Sequence, residues 1–185
     1  LAAERCAQLS GRRVGLLTHQ VGRTRAGVRT IDVLARAPHV DLARIFVPEH
    51  GLLAALEGEI GDGRDEATGI EIASLYGEDR RPRAEHLEDI EVLVVDLQDV
   101  GVRFYTYSTT LGIVMEECAA AGVRVVVLDR PNPIAFLGVD GPRSDPERSS
   151  FINYQPVPLT HALTLGELAR LYRDHFGVPC ELDVI

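Results

Sequence analysis

The chain has 185 residues, a length typical of one domain, and its 45% hydrophobic and 25% charged composition excludes a disordered or fibrous protein. All 19 basic residues are arginine, which excludes lysine-dependent chemistry such as a Schiff base or a P-loop lysine. The net charge of −9 argues against a nucleic-acid partner, because such binders need a basic face.

Hydrophobic periodicity predicts strands that alternate with helices along the chain. The predicted strands are Arg13–Thr18, Leu42–Val47, Ile70–Leu75, Val92–Asp96, Arg124–Asp129 and a closing run at Cys180–Ile185. The predicted helices are Thr30–Ala37, Arg83–Leu87, Ser108–Ala121 and a helix opened by a capping box of Thr164 and Glu167. The interval from Glu49 to Gly69 is predicted to be a loop. This alternation predicts an α/β fold with a parallel sheet and right-handed crossovers.

The remaining global features exclude several classes of protein. Cys6, Cys118 and Cys180 fit neither a disulfide framework nor a CxxC motif. No apolar run approaches the roughly 20 residues of a membrane span, so we expect none. Leu1–Ser10 lacks the apolar core of a signal peptide. Because the chain opens on Leu, a removed leader is also compatible, and secreted, periplasmic and cytoplasmic locations all stay open.

Chemically versatile side chains follow four of the predicted strands. They are His19 after the first strand, Glu49 and His50 after the second, Asp96, Asp99, Arg103, Tyr105 and Tyr107 at the end of the fourth, and Arg130 and Asn132 after the fifth. Open parallel sheets bind their ligands beyond the carboxyl ends of the strands. The sequence therefore predicts a functional site at this edge of the sheet.

Two carboxyl groups of this edge are suited to acid–base chemistry. Glu49, wedged between Pro48 and His50, is expected to be partly desolvated and fit for general acid work, although it could instead cap the next segment. Asp99 lies outside the strand and is a better second carboxylate than Asp96, which could simply bind backbone N–H groups of the loop.

The tyrosines and arginines admit both a binding and a structural role. Tyr105 and Tyr107 would share one face in an extended backbone, and otherwise belong to the core. Arg103 and Arg130 could bind a substrate carboxylate with two parallel hydrogen bonds, or form ion pairs with nearby aspartates.

Motifs of other enzyme classes are absent from the sequence. There is no G-x-G-x-x-G after the first strand, no G-x-S-x-G and no H-E-x-x-H. The residues His19, His50, Asp96 and Asp99 could gather a metal, but their spacing is not diagnostic. We therefore expect no metal and no cofactor.

Seven strings in chain order resemble the NamZ-type exo-β-N-acetylmuramidases, bacterial glycoside hydrolases long carried as a domain of unknown function. The strings are LLTHQVG, FVPEHG, TGIEIASLYG, VVDLQDVGVRFYTY, VVLDRPNPI, GVDGP and LTLGELARLY. The resemblance runs from about Arg13 to Phe176. It implies release of terminal N-acetylmuramic acid from the non-reducing end of peptidoglycan fragments, so the expected partner is a peptidoglycan-derived saccharide.

The resemblance also implies a domain organisation. Residues 1–160 are expected to form a Rossmann-like catalytic domain, the N-terminal domain of a two-domain protein with its active site in the cleft between the domains. Residues 161–185 are expected to begin the segment that leads to a C-terminal domain absent from this chain.

Residue roles carry over from the resemblance onto the matching strings. PEHG makes Glu49 the leading catalytic carboxylate, with His50 beside it. The strings DxQDVGxRFYTY and DRPNP give the site-lining residues Asp96, Asp99, Arg103, Tyr105, Tyr107, Arg130 and Asn132. The family commonly has Asn at the position of His19, and its HGMT string is His161–Ala162–Leu163–Thr164 here. These departures bear on fine specificity.

We predict Glu49 as general acid with Asp99 or Glu59 as its partner, and Glu57 competes with Glu59 as the family's downstream acidic residue. Two other functions stay open. The chain could be a catalytically silent muropeptide-binding module, or a metal-dependent hydrolase that uses the cluster of His and Asp side chains.

Overall fold

A computed structural model describes residues 6–48, 62–76 and 80–185 of the chain. Its strands are β1 (Arg13–Thr18), β2 (Asp41–Val47), β3 (Gly63–Arg64), β4 (Glu71–Ser74), β5 (Val92–Asp96), β6 (Arg124–Val127) and β7 (Leu182–Val184). Its helices are α1 (Thr30–Ala35), α2 (Ala84–Leu87), α3 (Thr106–Ala121) and α4 (Leu165–Asp174), with short 3-10 turns at Ala7–Leu9, Ala135–Leu137 and Pro146–Arg148. The predicted elements are confirmed close to their expected bounds, whereas β3 lies inside the interval predicted to be a loop.

The strands form one sheet in the order β3-β4-β2-β1-β5-β6-β7. Every neighbouring pair is parallel except β3 and β4, which are antiparallel. The chain winds outward from β1 through β2 to β4, and then returns to the other side of β1 to continue through β5, β6 and β7. This is the doubly wound order, and its switch point lies between β1 and β5. The predicted α/β, Rossmann-like fold is therefore confirmed.

Alternating residues of the central strands build a core on each face of the sheet. Leu93 and Val95 of β5 pack with Leu111 of α3 in one core, while Val92 and Val94 pack with α1 in the other. Because both faces are covered, all five residues of β5 are buried. This two-sided burial explains why the strand is a continuous apolar run in the sequence.

The last part of the chain belongs to the same sheet. α4 begins with the predicted capping box, in which Thr164 and Glu167 bind each other's backbone N–H groups. Its Leu168 and Tyr172 are fully buried in the core shared with α3. β7 pairs in parallel with β6. Residues 161–185, which the sequence set apart as the start of a following segment, thus contribute a helix and a strand to this fold.

Between β6 and α4 the chain makes a long irregular excursion. One isolated bridge joins its Thr160 to Val102 in the loop after β5, and a second joins Thr160 to Asp140 within the excursion itself. The excursion exposes apolar side chains, with Phe136 83% and Val139 64% accessible to solvent. Within the described ranges, no helix has the length and apolarity needed to cross a membrane.

Candidate active site at the carboxyl edge of the sheet

Three loops meet at the switch point, where the carboxyl ends of the central strands lie side by side. Thr18, the last residue of β1, is in register with Asp96, the last residue of β5. The loop after β6 begins next to them, because Val127 pairs with Val95. The structure therefore brings together His19 after β1, Asp96 at the end of β5 and Arg130 after β6, three of the predicted site residues.

Asp96 is the buried anion at the centre of this edge. It has no solvent exposure, and its Oδ1 accepts a hydrogen bond from Nε of Arg130 at 2.7 Å. Its Oδ2 accepts the hydroxyl proton of Thr30 at the start of α1. Arg130 also donates from Nη2 to the carbonyl of Arg23 at 3.2 Å. Of the two aspartates near Arg130, its ion-pair partner is thus Asp96.

Asp129 has a structural task at the start of α4. Its Oδ2 accepts from the Thr164 hydroxyl at 2.7 Å, and its Oδ1 accepts from the backbone N–H of Gly166 at 2.8 Å. A carboxylate at this position also interacts favourably with the positive end of the helix dipole. Asp129 therefore joins the end of β6 to the beginning of α4.

His19 is held as a neutral imidazole between Asp96 and the aromatic side chains. It is 6% exposed, and its Nε2 accepts the backbone N–H of Gln98 at 2.9 Å. The pKa of His19 is lowered to about 4, chiefly by burial; the carboxylate of Asp96 opposes this shift and the positive charge of Arg130 adds to it. The His19 ring also contacts Tyr107, with ring centroids 4.9 Å apart.

The prediction that Tyr105 and Tyr107 share one face of an extended backbone is wrong. α3 begins at Thr106, and Tyr105 is its N-cap residue. The two rings still meet, with centroids 4.7 Å apart in an edge-to-face arrangement. Tyr107 is 5% exposed and belongs to the core, while Tyr105 remains half-buried at the edge.

Arg103 and Asn132 both bind backbone groups in this structure. Nη1 of Arg103 donates to the carbonyls of Pro142 at 2.8 Å and Val157 at 2.5 Å. The side-chain NH₂ of Asn132 donates to the Leu163 carbonyl at 2.9 Å, and its amide oxygen accepts the backbone N–H of Ile134 at 2.9 Å. Asn132 thus shapes the loop after β6.

Asp99 is buried beside His161, which was not among the predicted site residues. Asp99 is 3% exposed and His161 is 2% exposed, and Oδ2 of Asp99 lies 3.5 Å from Nε2 of His161. The same Oδ2 accepts the backbone N–H of Gly101 at 2.8 Å. The sequence signal for His161 was its place in the string that corresponds to the family's HGMT.

Three predicted site residues, Glu49, His50 and Glu59, lie outside the described residues, as does Glu57. Among the residues that are described, no three His, Cys, Asp or Glu side chains gather in a way that could hold a metal ion. Asp96 is bound to a guanidinium and a hydroxyl instead.

The doubly wound sheet, with carboxylate, imidazole and guanidinium groups at its switch point, places this chain among the Rossmann-like α/β domains. Such domains bind a small polar ligand at the carboxyl edge of the sheet.

Comparison with known proteins assigns the family within this class. Residues 14–185 match the family described as exo-β-N-acetylmuramidase NamZ, N-terminal. The peptidoglycan β-N-acetylmuramidase NamZ of Bacillus subtilis (strain 168) is 39% identical over 180 residues, which cover 96% of this chain and 44% of that protein. The chain belongs to the NamZ family, which confirms the resemblance seen in the sequence.

Solved structures of two DUF1343 family proteins from Bacteroides fragilis NCTC 9343 share the fold. One has a TM-score of 0.91 at 39% identity and covers 98% of this chain, and the other has a TM-score of 0.84 at 31% identity and covers 99%. The chain spans 46% and 50% of those two proteins, respectively.

Proposed function

We propose that this chain forms part of a glycoside hydrolase that releases terminal N-acetylmuramic acid from the non-reducing end of peptidoglycan fragments. The observation that carries the proposal is the 39% identity, over 96% of the chain, to a protein named a peptidoglycan β-N-acetylmuramidase. The polar edge at the switch point supplies a site of suitable chemistry. Most glycoside hydrolases use two carboxyl groups and water for this reaction.

The charges at this edge favour Arg103 as the group that recognises the substrate. N-acetylmuramic acid carries a lactyl ether with a carboxylate, so its binding site needs a cation. The charge of Arg130 is already neutralised by the buried carboxylate of Asp96. In the described part of the chain Arg103 has no carboxylate partner, and its Nη1 binds only neutral carbonyls. Among the described residues its positive charge is therefore uncompensated, which suits Arg103 to binding the lactyl carboxylate.

Replacing Arg103 should weaken the binding of the acidic sugar selectively. In Arg103→Gln we expect KM for a chromogenic N-acetylmuramic acid β-glycoside to rise about tenfold, because a charge-assisted hydrogen bond is lost. KM for the same glycoside with its lactyl group methyl-esterified should change little. The matched control is Arg148→Gln, whose side chain is 85% exposed. An equal rise in KM for acid and ester would remove Arg103 from this role.

Two carboxyl groups must divide the catalytic work. We propose Glu49 as the general acid, since in the sequence it comes two residues after Val47, the last residue of β2. Its partner is Asp99 or Glu59. The near-complete burial of Asp99, with one oxygen bound to Gly101, favours Glu59 for direct contact with the substrate.

The decisive experiment for the proposed activity is Glu49→Gln in the full-length protein. Removing a general acid typically slows hydrolysis by about 10²- to 10⁴-fold, and we expect kcat on the chromogenic muramic acid glycoside to fall in that range. Glu88→Gln is the control, because Glu88 is exposed at the end of α2. Near-normal turnover by Glu49→Gln would contradict the assignment.

A further inference from the structure

Asp99 and His161 form a buried pair of polar side chains next to the loop after β5, which carries Arg103. Their carboxylate and imidazole approach to 3.5 Å, between Oδ2 and Nε2. The ring nitrogen Nδ1 of His161 accepts the backbone N–H of Leu163 at 3.2 Å. In the neutral ring the proton must then sit on Nε2, so the N–H of His161 faces the carboxylate of Asp99.

This pair is costly for the fold. Oδ1 of Asp99 and Nε2 of His161 are both shielded from solvent and have no hydrogen-bond partner among the described residues. Buried polar atoms without a full hydrogen bond cost free energy that apolar side chains of the same size would not. The pair therefore contributes something other than stability.

The backbone beside His161 is strained as well. Ala162 has a φ of 57°, in the left-handed region that side chains with a Cβ rarely adopt. Strain of this kind persists where the surrounding structure fixes a functional geometry. Here it lets the N–H of Leu163 reach back to the His161 ring.

Arg103 and His161 are linked through a short antiparallel pairing. The N–H of Arg103 donates to the carbonyl of Leu159 at 2.8 Å, and the N–H of His161 donates to the carbonyl of Gly101 at 3.4 Å. Val102 and Thr160 form the bridge between these two bonds. The backbone of His161 is therefore joined to the segment that carries Arg103.

The pairing of residues 101–103 with residues 159–161 requires a glycine at position 101. Gly101 has a φ of 87°, and a Cβ at this position would lie 2.3 Å from Oδ1 of Asn132. The N–H of Gly101 binds Asp99 while its carbonyl binds His161. One glycine thus joins both members of the buried pair to the loop that leads to Arg103.

We propose that Asp99 and His161 are positioning residues that fix the register between residues 101–103 and 159–161, and so hold the Arg103 guanidinium where it binds the carboxylate of the substrate. The inference rests on the proposed function, since it assigns a specificity role within that site. It gives Asp99 a positioning role in place of direct contact with the reacting atoms.

The test compares two substrates in the full-length protein, the chromogenic muramic acid glycoside and its lactyl methyl ester. We expect the wild type to show a KM about tenfold lower for the acid. His161→Phe, which leaves no polar group opposite the buried carboxylate of Asp99, should bring the ratio of the two KM values close to one. His161→Gln, which keeps an N–H donor, should retain most of the discrimination, and His175→Phe at the exposed end of α4 should retain all of it.

The outcomes separate positioning from a purely structural role. General loosening of the fold would change both KM values and kcat together and leave the ratio intact, and that result overturns the inference. If neither glycoside is hydrolysed by the wild type, the proposed activity fails. The inference is then decided by calorimetry, in which wild type but not His161→Phe must bind N-acetylmuramic acid about tenfold more tightly than N-acetylglucosamine.

A second measurement needs no variant and covers the case in which His161→Phe does not fold. A long-range ¹H–¹⁵N correlation spectrum of the wild type should show the neutral His161 ring protonated on Nε2. Protonation on Nδ1 instead would break the Leu163 hydrogen bond and overturn the inference.

Discussion

Arg130→Ala should lower the free energy of unfolding by about 3 to 5 kcal/mol, as expected when one partner of a buried ion pair is removed. The substitution leaves Asp96, which has no solvent exposure, without its cation. Urea unfolding monitored by circular dichroism measures the loss. Adding Asp96→Asn to Arg130→Ala should recover part of it, because the buried charge is then gone.

A control for this prediction lies at the start of β6, the strand that Arg130 follows. Arg124 begins β6 and pairs with Asp183, whose side chain is 50% exposed. Exposed ion pairs contribute about 0 to 1 kcal/mol, so Arg124→Ala should be nearly neutral. A loss below about 1 kcal/mol in Arg130→Ala would show that the carboxylate at the switch point does not depend on the guanidinium.

His19 should make the fold sensitive to acid. Its pKa of about 4 in the folded protein lies below the ordinary value of 6.5, so between these values the unfolded chain binds more protons than the folded one. Stability from this group is complete above about pH 6.5 and is lost as the pH falls towards 4. The full loss corresponds to about 3 kcal/mol, of which about 2 kcal/mol falls between pH 7 and pH 4.5.

The contribution of His19 is isolated by comparing variants at two pH values. His19→Gln keeps an acceptor for the Gln98 N–H but does not titrate, so its stability should fall by about 2 kcal/mol less than that of the wild type between pH 7 and pH 4.5. Carboxylates and His86, whose pKa is also lowered by burial, titrate equally in both proteins. His175→Gln should behave as the wild type does. Identical acid dependence of His19→Gln and wild type would refute the prediction.

The strands of the central sheet could be predicted because two-sided burial leaves a direct mark on the sequence. β5 and β6 are runs of β-branched and leucine residues, and no other element accommodates such runs as well. The ends of these strands then identify the edge at which the site forms. β3, with two residues paired to β4, is too short to produce a pattern.

The start of α3 could not be predicted from local propensity. Tyr105 and Tyr107 favour strands, and Tyr105 makes no side-chain cap of the kind that marks a helix start. The helix begins there because the Tyr107 ring packs into the core and against His19, a contact between distant parts of the chain.

Ion-pair and hydrogen-bond partners were the least predictable part of the site. Arg130 is adjacent to Asp129 in sequence but binds Asp96, while Asp129 binds the start of α4. His161 meets Asp99 because the excursion returns at Thr160 to the loop that follows β5. Such pairs depend on the path of the chain in three dimensions, which a single sequence does not encode locally.

The hydrogen bonds of Asp129 to Thr164 and Gly166 also close the base of the excursion between β6 and α4. The entropy of closing a loop grows only with the logarithm of its length, so a few residues added or removed at its exposed Pro146–Arg148 turn cost little free energy. Such changes would leave the sheet in place, because the carboxylate of Asp129 fixes the two ends of the excursion to each other. This part of the chain can therefore vary in length among related proteins, or accept an inserted peptide, while the site at the carboxyl edge keeps its geometry.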